Sequence, residues 1–268
     1  AGEGYDASFH VDYTRRDGYR EYNASERFSI GGNVGLSLTD QVQTRFFLGY
    51  TRLNFDVAGP LSLSMMDADP RQVSRGPTVT ATGTTLYPGP NVLRDRPRRE
   101  AEQFVIGNRT TVVYGEHRID AVLGYTYPDD TFRFPISSGV RQTVGGDATA
   151  LLRYAYQQEA ALLPLFESSA QMTAGTAERR YYVNQNGASG LPFGSNDLSA
   201  LTIAMHAGMN VPLPADLYLS PSISYTHASR DSTDTWGRAT RPTVAYNPRS
   251  PYVALPNGAV AAGNTEVP

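Results

Sequence analysis

Apolar and polar residues alternate along this chain in about nine segments of roughly ten residues each. In the first, Tyr5, Ala7, Phe9, Val11 and Tyr13 fall on one side, and Asp6, Ser8, His10, Asp12 and Thr14 on the other. Successive side chains of a strand face opposite sides of a sheet, so the pattern predicts strands with one apolar and one polar face. In the second, Phe28, Ile30, Val34, Leu36 and Leu38 alternate with Arg27, Ser29, Asn33 and Ser37. The third runs from Val42 to Arg52, and Phe47 breaks its alternation. The fourth, Glu102 to Val113, is the least regular, because Val105 and Val113 share a face with Arg109. The fifth carries Ile119, Leu123, Tyr125 and Tyr127 on its apolar side, and the sixth Val144, Ala148, Leu152, Tyr154 and Tyr156. The seventh covers Leu165 to Glu178. The eighth runs from Leu201 to Leu213 and the ninth carries Leu217, Leu219, Ile223 and Tyr225, with Pro221 inside it. After Arg230 the chain reads as loop.

The connections separate by length. Short turns are expected at Thr39-Asp40-Gln41, Tyr114-Gly115-Glu116 and Pro214-Ala215-Asp216, and a somewhat longer one after the sixth segment. Long polar stretches are expected after the third, fifth, seventh and ninth, the longest from about Asn54 to Arg99. Membrane barrels combine ~9–11-residue strands, short turns at one end and long loops at the other. The fold expected is therefore all-β: an antiparallel up-and-down transmembrane β-barrel segment with long extracellular loops, in the bacterial outer membrane. A passive porin-like channel and a soluble β-rich binding module are the alternatives.

Composition adds constraints. The chain has 268 residues and a net charge of −3, so nothing points to nucleic acid. It has no Cys, which excludes disulfides, thiolate metal sites and a Cys nucleophile. Mean hydropathy is −0.38 and no apolar run approaches the ~18 residues of a membrane helix, as expected when only alternate residues meet lipid. The 17 Tyr suit both strand propensity and interfacial aromatic girdles. The chain opens at Ala1 without a signal-like segment and reads as a piece of a longer protein.

The stretches Tyr13–Tyr22 (YTRRDGYREY), Asn33–Tyr50, Asp67–Gln72 (DADPRQ), Asn108–Thr111 (NRTT), Leu163–Glu167 (LPLFE), Phe193–Leu213 and Thr240–Pro248 (TRPTVAYNP) together resemble the barrel of TonB-dependent outer-membrane receptors of the siderophore type. The resemblance rests on strand and loop texture and covers most of the chain. It implies import of an iron chelate with energy relayed by an inner-membrane coupling protein, and contacts with lipid and lipopolysaccharide. That family also has an N-terminal plug, a coupling box and a barrel of ~22 strands. No plug-like segment is visible here and the last residues are Glu266-Val267-Pro268. Residues 1–268 are thus expected to be about nine strands of a larger barrel, without plug or closing strands.

Chemistry is sparse. His10, His117, His206 and His227 are scattered and match no metal spacing. Asp129-Asp130 reads as a solvated pair, Gly31-Gly32 and Gly145-Gly146 as bends or close packing within strands, and Asn23-Ala24-Ser25 and Asn108-Arg109-Thr110 as chance glycosylation matches. No nucleophile elbow is present. Neither an enzyme activity nor a cofactor or metal is expected. The candidate ligand contacts are two loop clusters: Arg94, Arg96, Arg98 and Arg99, and Arg179, Arg180, Tyr181 and Tyr182. Arg with Tyr offers charge-assisted hydrogen bonds and a stacking face to an anionic chelate. Arg at this rim equally suits lipopolysaccharide phosphates or neighbouring loop acids.

Overall fold

Cross-strand register turns the alternation into two chemically distinct faces. In the computed structural model, which describes residues 4–76, 78–79, 85–86, 91–134, 139–158, 163–214 and 217–237, the elements run β1 (Tyr5–Arg16), β2 (Ser25–Ser37), β3 (Val42–Asp56), α1 (Leu63–Ala68), β4 (Thr78–Val79), β5 (Thr85–Leu86) and α2 (Val92–Asp95). They continue with β6 (Arg98–Tyr114), β7 (His117–Arg133), β8 (Val140–Tyr156), β9 (Phe166–Gln185), β10 (Ala188–Met209), β11 (Val211–Leu213), β12 (Leu217–Leu219) and β13 (Ser222–Gly237). One nine-stranded antiparallel sheet has the order β1-β2-β3-β6-β7-β8-β9-β10-β13. Its main strands follow one another up and down, which is the arrangement of a barrel wall.

On one face Phe9, Ile30, Val34, Phe46, Leu48, Ile106, Leu123, Leu152, Met172, Ile203, Met205 and Ile223 fall in register. Many of these large apolar side chains are exposed, Phe9 at 71% and Ile223 at 74%. A water-soluble domain buries such a face. Aromatic residues border it at both ends. Tyr13 and Phe28 are paired, and Tyr50, Phe104 and Tyr127 share one row at one end. Tyr5, Tyr154, Tyr156 and Phe166 mark the other. Tyr5 to Tyr13 spans ~26 Å along the strand at ~3.3 Å per residue, close to the height of a barrel's lipid-facing band once the strand is tilted. The polar Asn108 on this face is satisfied within it: its amide donates to Thr44 Oγ1 (2.9 Å) and to the Arg45 carbonyl (3.3 Å). Asn108 thus lies inside a strand, as expected.

The opposite face carries Asp6, His10, Asn33, Arg45, Arg109, Asp120, Asp147, Arg153, Arg179, His206 and Arg230. Phe47 belongs here, which explains its break in the alternation. Gly31 does too. A Cβ at Gly31 would lie 2.6 Å from the His10 ring, so the glycine lets that ring lie flat on the strand.

Several connections differ from expectation. β7 and β8 extend through Asp129, Asp130, Arg133 and Arg141, leaving residues 134–139 as the connection. β9 and β10 run on to a two-residue turn, so no long loop follows the seventh segment. The eighth segment ends at Met209. β11 and β12 form a separate small hairpin, and Pro221 lies between β12 and β13. The Met209 amide donates to the Pro221 carbonyl, so the proline closes the main ladder without having to donate within it. β13 continues to Gly237, beyond the expected Arg230, and His227 faces Ile203 well inside it. The stretch Thr240–Pro248 lies outside the described residues.

Candidate functional site

Between β3 and β6, Ala58, Val73 and Val92 form a small core, against which Tyr22 packs. Helix α1 is capped by Ser62, whose Oγ accepts from Met65 N. α2 is capped by Asn91, whose Oδ1 accepts from Arg94 N. The β1–β2 connection is tied to this fold. Arg20 donates to the carbonyls of Gly59 (2.7 Å), Ala58 (3.3 Å) and Gln72 (3.0 Å), and Glu21 N donates to Arg71 O. Burial pushes the Tyr22 phenol up to about 12, and the nearby Asp56 carboxylate adds to the shift.

The tip of the β9–β10 hairpin completes the cap. Gln185 pairs with Ala188 across Asn186 (φ 53) and Gly187 (φ 85). Two successive positive φ values define the turn whose twist matches that of a hairpin, and Asn-Gly is its preferred sequence. The Asn184 amide donates to the Asp95 carbonyl at 2.6 Å, joining the hairpin to α2. Both expected clusters therefore lie at the same end of the sheet, as strand parity requires.

The structure separates the members of each cluster. Arg94 makes a two-pronged contact with Asp95 (2.6 and 2.9 Å), and that hydrogen bond raises its pKa. Arg96 caps α2 in a left-handed conformation beside Gly187. Arg98 and Arg99 are the first residues of β6, not loop. Arg98 lies within 3.4 Å of Glu100, and Arg99 on the polar face lies 2.7 Å from Asp130. Arg179, Arg180, Tyr181 and Tyr182 are all strand residues of β9, which corrects their assignment to a loop. Alternation splits them: Arg180 and Tyr182 face the apolar side's direction, and Arg179 and Tyr181 the polar side. Arg180 is held by Glu178 (2.6 and 2.8 Å). The Tyr181 ring lies tilted against Phe193, with ring centroids 5.9 Å apart. Arg179 donates to Thr143 Oγ1 at 3.3 Å and has no acidic partner among the described residues.

The polar face is charged along its whole length, but the two ends differ. Away from the cap the charges neutralise one another. Arg45 meets Asp6 at 2.6 Å and also donates to Asn33. Asp120, buried, accepts from Arg109, Arg118 and Thr111 (2.9, 3.0 and 2.6 Å), and Glu167 accepts from Arg153 at 2.8 Å. Towards the cap Arg99 still meets Asp130, but Arg141, Asp147, Arg179 and Arg230 make no ion pair among the described residues. Arg141 instead covers the Phe134 ring at 5.2 Å. Sequence reasoning missed Arg141, Asp147 and Arg230. Their signal was parity: each shares its strand's polar face with small or hydroxylic residues. Among the described residues no group of three or more His, Asp or Glu is placed to hold a metal ion.

No protein-family model and no curated protein matches the chain. Solved structures do. The chain is similar to the ferric citrate transporter FecA in its unliganded form, with 11% identity over 88% of this chain and 34% of that one, and a TM-score of 0.70. It is also similar to FpvA of P. aeruginosa bound to a heterologous pyoverdine and iron (10% identity, 88% and 35%, TM-score 0.54) and to FpvAI in complex with pyocin S2 (11%, 88% and 34%, TM-score 0.52). The chain spans about a third of the length of each. No helix among the described residues is long and apolar enough to cross a membrane, which says nothing of crossing by strands. The alternating nine-stranded sheet, its exposed apolar face and these likenesses agree on the fold: this chain is an antiparallel up-and-down β-barrel segment similar in fold to parts of FecA and FpvA.

Proposed function

We propose that this chain is part of the wall of an outer-membrane receptor that captures an iron chelate outside the cell and imports it with energy supplied from the inner membrane. The observation that carries this is the likeness of 88% of the chain to FecA, a ferric citrate transporter, and to FpvA with pyoverdine and iron. The arrangement of residues supports it. The apolar face meets lipid, the polar face lines the lumen, and the Ala58–Val73–Val92 core, the β1–β2 connection and the β9–β10 tip lie together at the outer end of the strands. In that frame Arg52, Arg98, Arg133 and Arg180 are directed to the lipopolysaccharide side above the aromatic border. Arg141, Arg179, Tyr181 and Arg230 look into the lumen, where an anionic chelate passes. The work is binding and gating, without covalent chemistry.

The test uses the full-length protein in cells lacking other ferric receptors. Iron uptake is expected from a ferric citrate or ferric catecholate medium, and collapse of the inner-membrane proton gradient should stop it. Uptake that persists without that gradient, linear in solute concentration, means a passive channel.

A further inference from the structure

The polar face between β8 and β13 holds a built depression that the two Arg clusters did not anticipate. Asp147, Gly175, Ala200 and Arg230 form one continuous cross-strand row. Gly145, Ala177, Leu198 and Ser232 form the next, and Thr143, Arg179 and Asn196 the one above. The floor is low at Gly145, Gly175, Ala177 and Ala200, and Leu198 is its one larger side chain. The shortness is enforced at Gly145, where a Cβ would meet the Ala177 Cβ at 2.5 Å. The charges do not all stand at the edges. The Asp147 carboxylate lies over Gly175, where an added Cβ would run into it, Arg230 stands two strand spacings or ~10 Å along the same row, and Arg179 lies ~13 Å up β9. The resulting saucer has a volume of about 410 Å³ and includes all three. Beside Arg179, the buried Asn196 Oδ1 has no hydrogen-bond partner although its amide donates to Ser232 (3.1 Å). Asp147, Arg179 and Arg230 make no ion pair among the described residues, and Asp234 ends the row of Arg179 and Asn196.

We infer that this saucer is a subsite for a chelate carrying both signs of charge: an anionic metal-binding head held by Arg179 and Arg230, and a pendant ammonium group held by Asp147. Residues spaced across a small floor meet one ligand at several points, whereas adjacent residues of opposite sign would only neutralise each other. The inference rests on the receptor reading and narrows it from iron chelates in general to those with an appended amine.

The probes are two ferric complexes of a tris-catecholate on a tris(aminoethyl)amine scaffold: the plain trianion, and the same complex with one pendant primary ammonium. Equilibrium binding is measured on full-length receptor in detergent, with heat-modifiable gel mobility checking assembly. Wild type is expected to bind the amine-bearing complex more tightly. Asp147→Asn should weaken that complex about tenfold and spare the trianion. Arg179→Gln should weaken both, and Ala200→Leu, which fills the floor, should abolish both. Equal effects of Asp147→Asn on the two probes, or none, overturn the subsite while leaving the receptor reading intact. Failure of assembled wild type to bind either complex overturns the subsite, while the receptor reading stands or falls on the uptake experiment.

Discussion

Tyr22 sits in a left-handed conformation (φ 53) where the β1–β2 connection meets the Ala58–Val73–Val92 core. Its phenol is held neutral by burial, with a pKa of about 12 in place of the usual 10.0. A folded-state pKa raised in this way contributes stability that is complete below pH 10 and is lost as pH rises towards 12. Amide exchange in residues 17–24 and 71–75 should therefore accelerate across that window. In Tyr22→Phe the titrating step should vanish. Face direction gives a second expectation. A charge at mid-strand on the lipid side costs ~2–4 kcal/mol. Ile203→Arg should thus impair assembly of the full-length barrel, scored by heat-modifiable mobility, while Thr202→Arg, one residue away on the polar face, should not. Asn210 is a poorer control than its position in the eighth segment suggests, because it lies outside β10 and its amide holds the Pro164 carbonyl at 2.7 Å. Such facing was readable directly from alternation. Partner choice was not: Arg179 and Arg180 are equivalent neighbours in sequence, and only pairing with β8 and β10 shows that they point to opposite sides.

At the scale of elements, alternation identified the strands between the aromatic borders and failed beyond them. There is a physical reason. Past the border both faces of a strand meet water, so nothing demands an apolar residue at every second position. Asp129–Arg133 of β7 and Glu178–Gln185 of β9 therefore carry charged or amide side chains on both faces, lose the alternation and look like loops. Asn186-Gly187 was the available cue for the β9–β10 hairpin. Among the described residues the hairpin is joined to α2 by the Asn184 bond to the Asp95 carbonyl and by the packing of Arg96 beside Gly187. Asn184→Ala should raise amide exchange in residues 91–97 at least severalfold and leave β9 and β10 protected near the membrane. Unchanged exchange would show that the Ala58–Val73–Val92 core and the Arg96–Gly187 packing hold the cap without that bond. The small β11–β12 hairpin was hidden for another reason. Its apolar residues continue the parity of β10, and the break at Asn210 is visible only as a change of hydrogen-bond partner, to Leu165.

For the molecule as a whole, β1 and β13 are the edges of the nine-stranded sheet. Free edges in lipid leave backbone groups without partners, and the apolar face has nothing to cover it in water. The isolated chain should aggregate in water and insert poorly into bilayers; a monodisperse monomer melting cooperatively without detergent would contradict the barrel assignment. The number of strands and their order were legible in the sequence. The division of the polar face into a neutralised part and an unneutralised part was not, since it arises from contacts between strands far apart in the chain. That division has a consequence for ionic strength. Contacts such as Arg109–Asp120 at 2.9 Å are short and partly buried, and dissolved ions screen them little. Asp147, Arg179 and Arg230, without ion pairs among the described residues, act on solutes still in solution, over distances comparable with the ~8–10 Å screening length of ordinary buffers. Raising salt from about 0.05 to about 0.5 M should therefore slow the association of charged chelates with the full-length protein while leaving its melting temperature in detergent nearly unmoved, so that recognition and architecture respond separately to the same brine.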